Sequence, residues 1–266
     1  MIRPALAVLA TLWAAPTLGA DSGSDVVATA QITEEQAAAE AAPLQCEDIA
    51  YDGNRYTLCE VDASRAQLRL FLHDEQGQVY GHFSRIEEAL AAEGKALAFA
   101  TNAGMYHADR APVGLYVEDG KQEMRLVTNA GPGNFGLLPN GVLCLREGRA
   151  DVFESLAFRD AAPRCTSATQ SGPMLVIDGA LHPRFLPDST SYYIRNGVGT
   201  SADGRRAVFA ISRNAVTFHQ FGSLFRDYLK LPNALYFDGN ISRLHAPQIG
   251  RSDAGFMMGP VIGVVE

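Results

Sequence analysis

Leu231-Pro232-Asn233-Ala234-Leu235-Tyr236-Phe237-Asp238-Gly239-Asn240-Ile241-Ser242 places a helix-ending proline, a short apolar run and a carboxylate in one segment. Upstream, Leu224, Phe225, Tyr228 and Leu229 share one helical face. A helix is therefore predicted over about 223–231, closed by Pro232, which cannot continue it. Ala234 to Phe237 then predicts a buried strand that stops at Asp238. Asp-Gly ordinarily marks a hairpin turn with positive φ. Here Asn240 to Pro247 is polar rather than a returning strand, so Asp238 reads as a group projected from a strand end into a cleft. By contrast, Asp119-Gly120, Asp178-Gly179 and Asp203-Gly204 lie between β-like runs and read as ordinary turns.

Outward from that segment, short apolar runs alternate with turn signals. Strands are predicted at Tyr56 to Val61, Leu68 to His73, Leu97 to Ala100, Gly114 to Val117, Val142 to Leu145, Met174 to Ile177, Ala207 to Ile211 and Ala215 to Phe218. One further helix is predicted from Ser84, where Ser84 and Glu87 stand in capping-box spacing, Ile86 and Leu90 share a face and Gly94 stops the run. The predicted class is α+β: mixed, mainly antiparallel sheets with a few flanking helices in a single domain over 44–266.

The 266 residues, 47% hydrophobic and 20% charged, have the composition of a globular protein. A net charge of −8 offers no general basic surface, which argues against a nucleic-acid partner. Residues 1–20 combine Arg3, the apolar run Ala5 to Ala15 and a small-residue end, and read as a secretory signal peptide too short to span a bilayer. Residues 21–43 are rich in Ala and Glu and read as a flexible leader. Periplasmic or secreted localisation without stable membrane insertion follows. Cys46, Cys59, Cys144 and Cys165 would then meet an oxidising compartment. Three pairings are open; Cys46 with Cys59 and Cys144 with Cys165 is favoured, because each pair brackets a short hairpin-like segment. No C-x-x-C zinc spacing and no calcium-loop spacing occurs, so no cofactor is expected; a divalent cation on Asp238 and loop carbonyls stays open. Neither a G-x-S-x-G elbow nor a phosphate-cradling G-x-x-x-x-G-K-[ST] run is present.

Several other strands stop at polar, glycine-rich junctions. In order, Asn102-Ala103-Gly104-Met105-Tyr106, Pro112-Val113-Gly114-Leu115, Gln170-Ser171-Gly172-Pro173-Met174-Leu175-Val176, Arg195-Asn196-Gly197-Val198-Gly199 and Asp238-Gly239-Asn240-Ile241-Ser242 resemble the motifs of the phosphodiester glycosidase family. The resemblance spans roughly 45–266 and is nearest to bacterial exported, exopolysaccharide-related members. Asn240 and Ile241 stand where other members carry glycines.

The resemblance implies an exported hydrolase that cleaves a glycosyl phosphodiester, a sugar-1-phosphate diester, of envelope or exopolysaccharide glycans. The alternative is a non-catalytic periplasmic binding protein for sugar phosphates on the same fold. Because the leaving group is a phosphate oxygen, cationic stabilisation matters more than strong acid assistance, which selects Arg195 as a two-pronged phosphate ligand. Asp238 would activate water or stabilise the sugar cation. His107 or His245 would supply a proton, unless they are ordinary loop or buried residues. Asn102, Asn134, Asn196, Gln170 and Ser242 would bind substrate oxygens, with Gly104, Ser171, Gly172 and Gly239 allowing close backbone approach.

Overall fold

In the computed structural model, which describes residues 42–266, the Ala234–Phe237 run is a central strand, Asn233–Asp238 (β14). The predicted signal peptide and almost all of the leader lie outside the described residues. Every strand pair is antiparallel, and the strands form three sheets. The largest runs, in spatial order, Leu44–Tyr51 (β1), Asn54–Asp62 (β2), Arg206–Ser212 (β13), Asn196–Thr200 (β12), β14, Met174–Ile177 (β10) and Ala180–Leu181 (β11). A second holds Arg251–Ser252 (β16), Leu244–Ala246 (β15), Leu97–Asn102 (β4), Val261–Val265 (β17) and Gln67–Phe71 (β3). The third holds Lys121–Met124 (β6), Tyr116–Glu118 (β5), Ser167–Ser171 (β9), Gly141–Arg146 (β7) and Arg149–Glu154 (β8).

Strand alternation sorts side chains between two cores. Leu235 and Phe237 of β14, with Phe209 and Ile211 of β13, face a core shared by all three sheets. Phe99 of β4 meets Phe209 there, with ring centroids 4.9 Å apart. Ala234 and Tyr236, with Val208 and Ala210, face the opposite way, onto the helical segment between β13 and β14. The large sheet is thus buried on both faces, which explains why β14 reads as a continuous apolar run rather than an alternating one. In β12, Gly199 lies against that segment: a Cβ there would meet the Phe225 ring at 2.7 Å.

Three α-helices flank the sheets among the described residues: Phe83–Ala92 (α1), Ser155–Ala161 (α2) and Phe218–Ser223 (α3). The helix predicted from Ser84 starts one residue earlier with His82 as N-cap, and no capping box forms; Gly94, at φ +72°, does end it. The predicted 223–231 helix begins at Phe218 instead. Its box is Thr217 with Gln220, and a π-helical turn, Leu224–Tyr228, carries the chain on. That shift removes the strand predicted at Ala215 to Phe218, where Val216 makes only an isolated bridge to Tyr193. The sequence pattern also missed α2, which Glu154 caps by accepting from the Leu156 and Ala157 N–H groups. A further Asp-Gly turn, Asp52-Gly53, joins β1 to β2 with positive φ at both residues.

Both favoured disulfides are present. Cys46 and Cys59 face each other across β1 and β2, and Cys144 of β7 joins Cys165. Loops of this size contribute about 3 kcal/mol each in the chain-entropy account. No helix among the described residues is long and apolar enough to cross a membrane.

The two capping patterns separate in a denaturation experiment. Thr217→Ala should lower stability by about 1 kcal/mol in urea unfolding, whereas Ser84→Ala, which removes no cap, should leave the midpoint within error of the parent.

Candidate functional site

Asp238 ends β14 beside a bulge: Asn196 pairs with Asp238, but the next residue, Gly197, pairs with Tyr236. The extra residue bends the strand as it leaves the sheet. Asp238 is 9% exposed and lines a cavity of about 590 Å³. Tyr106, His107, Asn134, Ser191, Tyr193, Tyr236, Gly239, Asn240 and Ile241 are among the other lining residues, and among the described residues Asp238 is the only acid in the wall. Burial raises the Asp238 pKa above the ordinary carboxylate range, while the N–H groups of Asn240, Gly239 and Ile241 oppose the shift; the Asn240 N–H lies 2.9 Å from Oδ1. Among the described residues no cation is ion-paired with it.

Beneath this carboxylate two amides clasp β4 to β12. Asn196 Nδ2 donates to Asn102 Oδ1 at 2.9 Å and to Thr101 Oγ1 at 3.0 Å. Asn102 Oδ1 also accepts from the Arg243 N–H. Asn196 Oδ1 accepts from the Asp238 N–H at 3.3 Å and from Ser242 Oγ, which donates as well to the Asp238 carbonyl at 2.9 Å. Asn102, Asn196 and Ser242 therefore hold both ends of the Asp238 loop. Neither Asn102 nor Asn196 lines the cavity.

Arg195 stands one layer behind the cavity wall, 1% exposed. Its guanidinium lies 3.6 Å from the Phe218 ring centroid and 5.4 Å from those of Tyr193 and Tyr236. Nε donates to the Val216 carbonyl and Nη2 to the Ser191 carbonyl, both at 2.9 Å. Burial lowers its pKa, the nearby Tyr236 phenol working against that, yet a guanidinium remains protonated. Three of its neighbours, Ser191, Tyr193 and Tyr236, form the wall itself, so its charge reaches the cavity through side chains rather than water. The Tyr236 hydroxyl is buried beside the Arg195 guanidinium, outside good hydrogen-bond geometry; burial raises its pKa and Arg195 opposes the rise. It presses on the backbone of Gly239, where a Cβ would clash with it.

The other residues singled out in the sequence divide. Asn134, His107 and Gly239 join Asp238 in the wall. Gln170 does not: Oε1 accepts from the Leu115 and Val127 N–H groups at 3.0 Å each, and Nε2 donates to the Val127 carbonyl and Ser155 Oγ. Ser171 Oγ donates to the Phe237 carbonyl, and Gly172 is packed on Asn140. Gly104 sits against Thr169. His245 lies on the α1 side of the second sheet, its ring nitrogens on Ser252 Oγ and the Leu97 carbonyl. Tyr106, Tyr193 and Tyr236 were not singled out, although aromatic residues flanking each polar junction were the available signal. No cluster of three or more His, Cys, Asp or Glu side chains among the described residues is placed to hold a metal.

The phosphodiester glycosidase family profile matches residues 95–246. An uncharacterized Escherichia coli K12 protein, YigE, is 32% identical over 185 residues, 70% of this chain and 72% of its own. Among solved structures, the catalytic domain of zebrafish N-acetylglucosamine-1-phosphodiester alpha-N-acetylglucosaminidase, auto-inhibited by its pro-peptide, shares the fold. It has a TM-score of 0.59 and 13% identity, over 85% of this chain and 84% of that one. A Burkholderia pseudomallei K96243 protein presumed to be exported also shares the fold, with a TM-score of 0.51 and 11% identity over 79% of this chain and 74% of that one.

Two outcomes follow from the wall. Gly239→Ala should cost about 1–3 kcal/mol by overpacking, and adding Tyr236→Phe should return part of it in thermal unfolding. Burial of Asp238 raises its folded-state pKa, so its contribution favours folding below the ordinary carboxylate range and is lost as pH rises through the folded pKa. Asp238→Asn should therefore unfold at higher temperature than the parent at neutral pH, the gain shrinking as pH falls through the raised folded-state pKa and vanishing below about pH 4.

Proposed function

This chain belongs to the phosphodiester glycosidase family, and on that premise we propose that it hydrolyses a glycosyl phosphodiester of envelope or exopolysaccharide glycans in the periplasm or outside the cell. The observation that carries this reading is Asp238, a single buried carboxylate fixed by backbone N–H groups at the wall of a sugar-sized cavity. The two disulfides fit an oxidising compartment.

In the proposed reaction the bond from the anomeric carbon to the bridging phosphate oxygen breaks. The phosphomonoester departs with the electron pair, and water adds to the sugar. A phosphomonoester, with a second pKa near 6, leaves without a strong acid. What the site must supply is stabilisation of an oxocarbenium-like sugar and of charge on phosphate. Asp238 faces the sugar cation or takes the proton of water. The positive potential of Arg195, set in a low-dielectric layer behind Ser191, Tyr193 and Tyr236, favours an anion in the cavity without direct contact. His107 and Asn134 stand in the wall, where they would meet substrate oxygens.

That the wall holds one acid also suits the second reading, a sugar-phosphate binding protein without turnover. A panel of sugar-1-phosphate diesters separates the two. The enzyme reading expects release of free sugar by the native chain and a fall of at least about a thousandfold in Asp238→Ala with the fold intact. Saturable binding with no sugar released from any diester would establish the binder instead. Since Asp238 acts ionised, kcat/KM should drop on the acid side at a pH above the ordinary carboxylate range.

A further inference from the structure

Arg243 follows the Asp238 loop and enters β15, yet its side chain takes no part in the cavity described above. It is 7% exposed, and among the described residues its guanidinium has no hydrogen-bond or ion-pair partner. Gly255 packs on the guanidinium so tightly that a Cβ there would lie 2.7 Å from Cζ. An arginine can neither shed its proton nor accept a hydrogen bond, so these donors can be met only by water or by an acceptor that enters from outside the protein.

The guanidinium lines a second cavity, of about 250 Å³, whose wall includes His82, Phe83 and Ser84 at the start of α1. No side chain caps α1, and its first turn carries no acid. Its leading N–H groups and positive dipole end therefore lack a protein acceptor. Ser84 and Ser252 add hydroxyls to the same wall. Two acids, Asp253 and Glu87, also line it. Asp253 is held by Arg251 and by the Leu244 N–H, and Glu87 lies 3.6 Å from His245. Asp253 attracts the Arg243 guanidinium through space, but no acceptor among the described residues engages its N–H groups by a hydrogen bond.

We infer that this second cavity is a binding site for a small oxyanion, a phosphate group held between the Arg243 guanidinium and the uncapped start of α1. The guanidinium offers a planar fork to two phosphate oxygens, and the helix N–H groups and Ser84 hydroxyl reach the others. The site is separate from Asp238 and stands whether or not that residue turns over a diester. Free phosphate and a phosphomonoester of a sugar present the same group.

The test is thermal unfolding and calorimetric titration of the full chain with inorganic phosphate at constant ionic strength, with a sugar 6-phosphate as a parallel arm. Saturable binding with a rise in Tm is expected. Arg243→Met should weaken phosphate at least about tenfold, the scale of losing a charge-assisted contact. It should not lower the Tm of the unliganded chain, because no hydrogen bond within the protein is lost with that guanidinium. Ser84→Asp, placing a carboxylate in the first turn, should raise that Tm and compete phosphate out. Asp238→Asn should bind phosphate like the parent, so failure here and failure of the hydrolase reading give different results. Equal binding by both arms assigns the site to the shared phosphate group, and a strong preference for the ester ties it to sugar phosphates. No saturable binding by the parent, or unchanged binding in Arg243→Met, would overturn the inference.

Discussion

The hydrogen-bonded pair Asn102 and Asn196 is the constraint on which the site depends. Two side-chain amides without solvent must find partners inside the protein, and an unpaired one would cost about 1–3 kcal/mol. They find each other, Thr101 and the backbone of the Asp238 and Arg243 segments. One polar knot therefore fixes the second sheet against the first and sets where the carboxylate emerges. The cavity is lined by the residues above it, while these amides hold the floor.

The strand ending in Asp238 was legible because both chemical cues coincide in sequence: a run apolar on both faces, then an acid with no returning strand. The disulfide pairing was legible for a similar reason, since each cysteine pair brackets a short segment that folds back on itself. Helix boundaries were less so. Ser84 and Glu87 have capping-box spacing without forming one, whereas Thr217 and Gln220 have it and do. The difference lies in tertiary placement, which spacing cannot report. Convergence was only partly legible: Asn102, Asn134, Gln170 and Arg195 all sit at strand junctions. One lines the cavity, one lies behind it, one holds it from below and one, Gln170, pins a different loop.

Arg195 and Arg243 show why residue type alone was a weak guide. Both are largely buried and neither is hydrogen-bonded or ion-paired to a carboxylate among the described residues. Arg195 is satisfied by carbonyls and aromatic faces, so its burial is largely compensated. Arg243 has only the through-space pull of Asp253 and Tyr106, with no carbonyl or aromatic face on its guanidinium. Nothing in the linear order of residues separates these cases; only the surroundings of each guanidinium do.

The large sheet is buried on both faces, and β12 is buried along its whole length. Its amide hydrogens, and those of β14 beside it, can exchange with solvent deuterium only when the entire unit opens. The carboxylate at the end of β14 thus rides on one of the slowest-exchanging parts of the molecule. Under the proposed function, a carboxylate set on such a strand would stay in place while ligands of different shape are met by the loops around it, those of Asn134 and Asn240 among them.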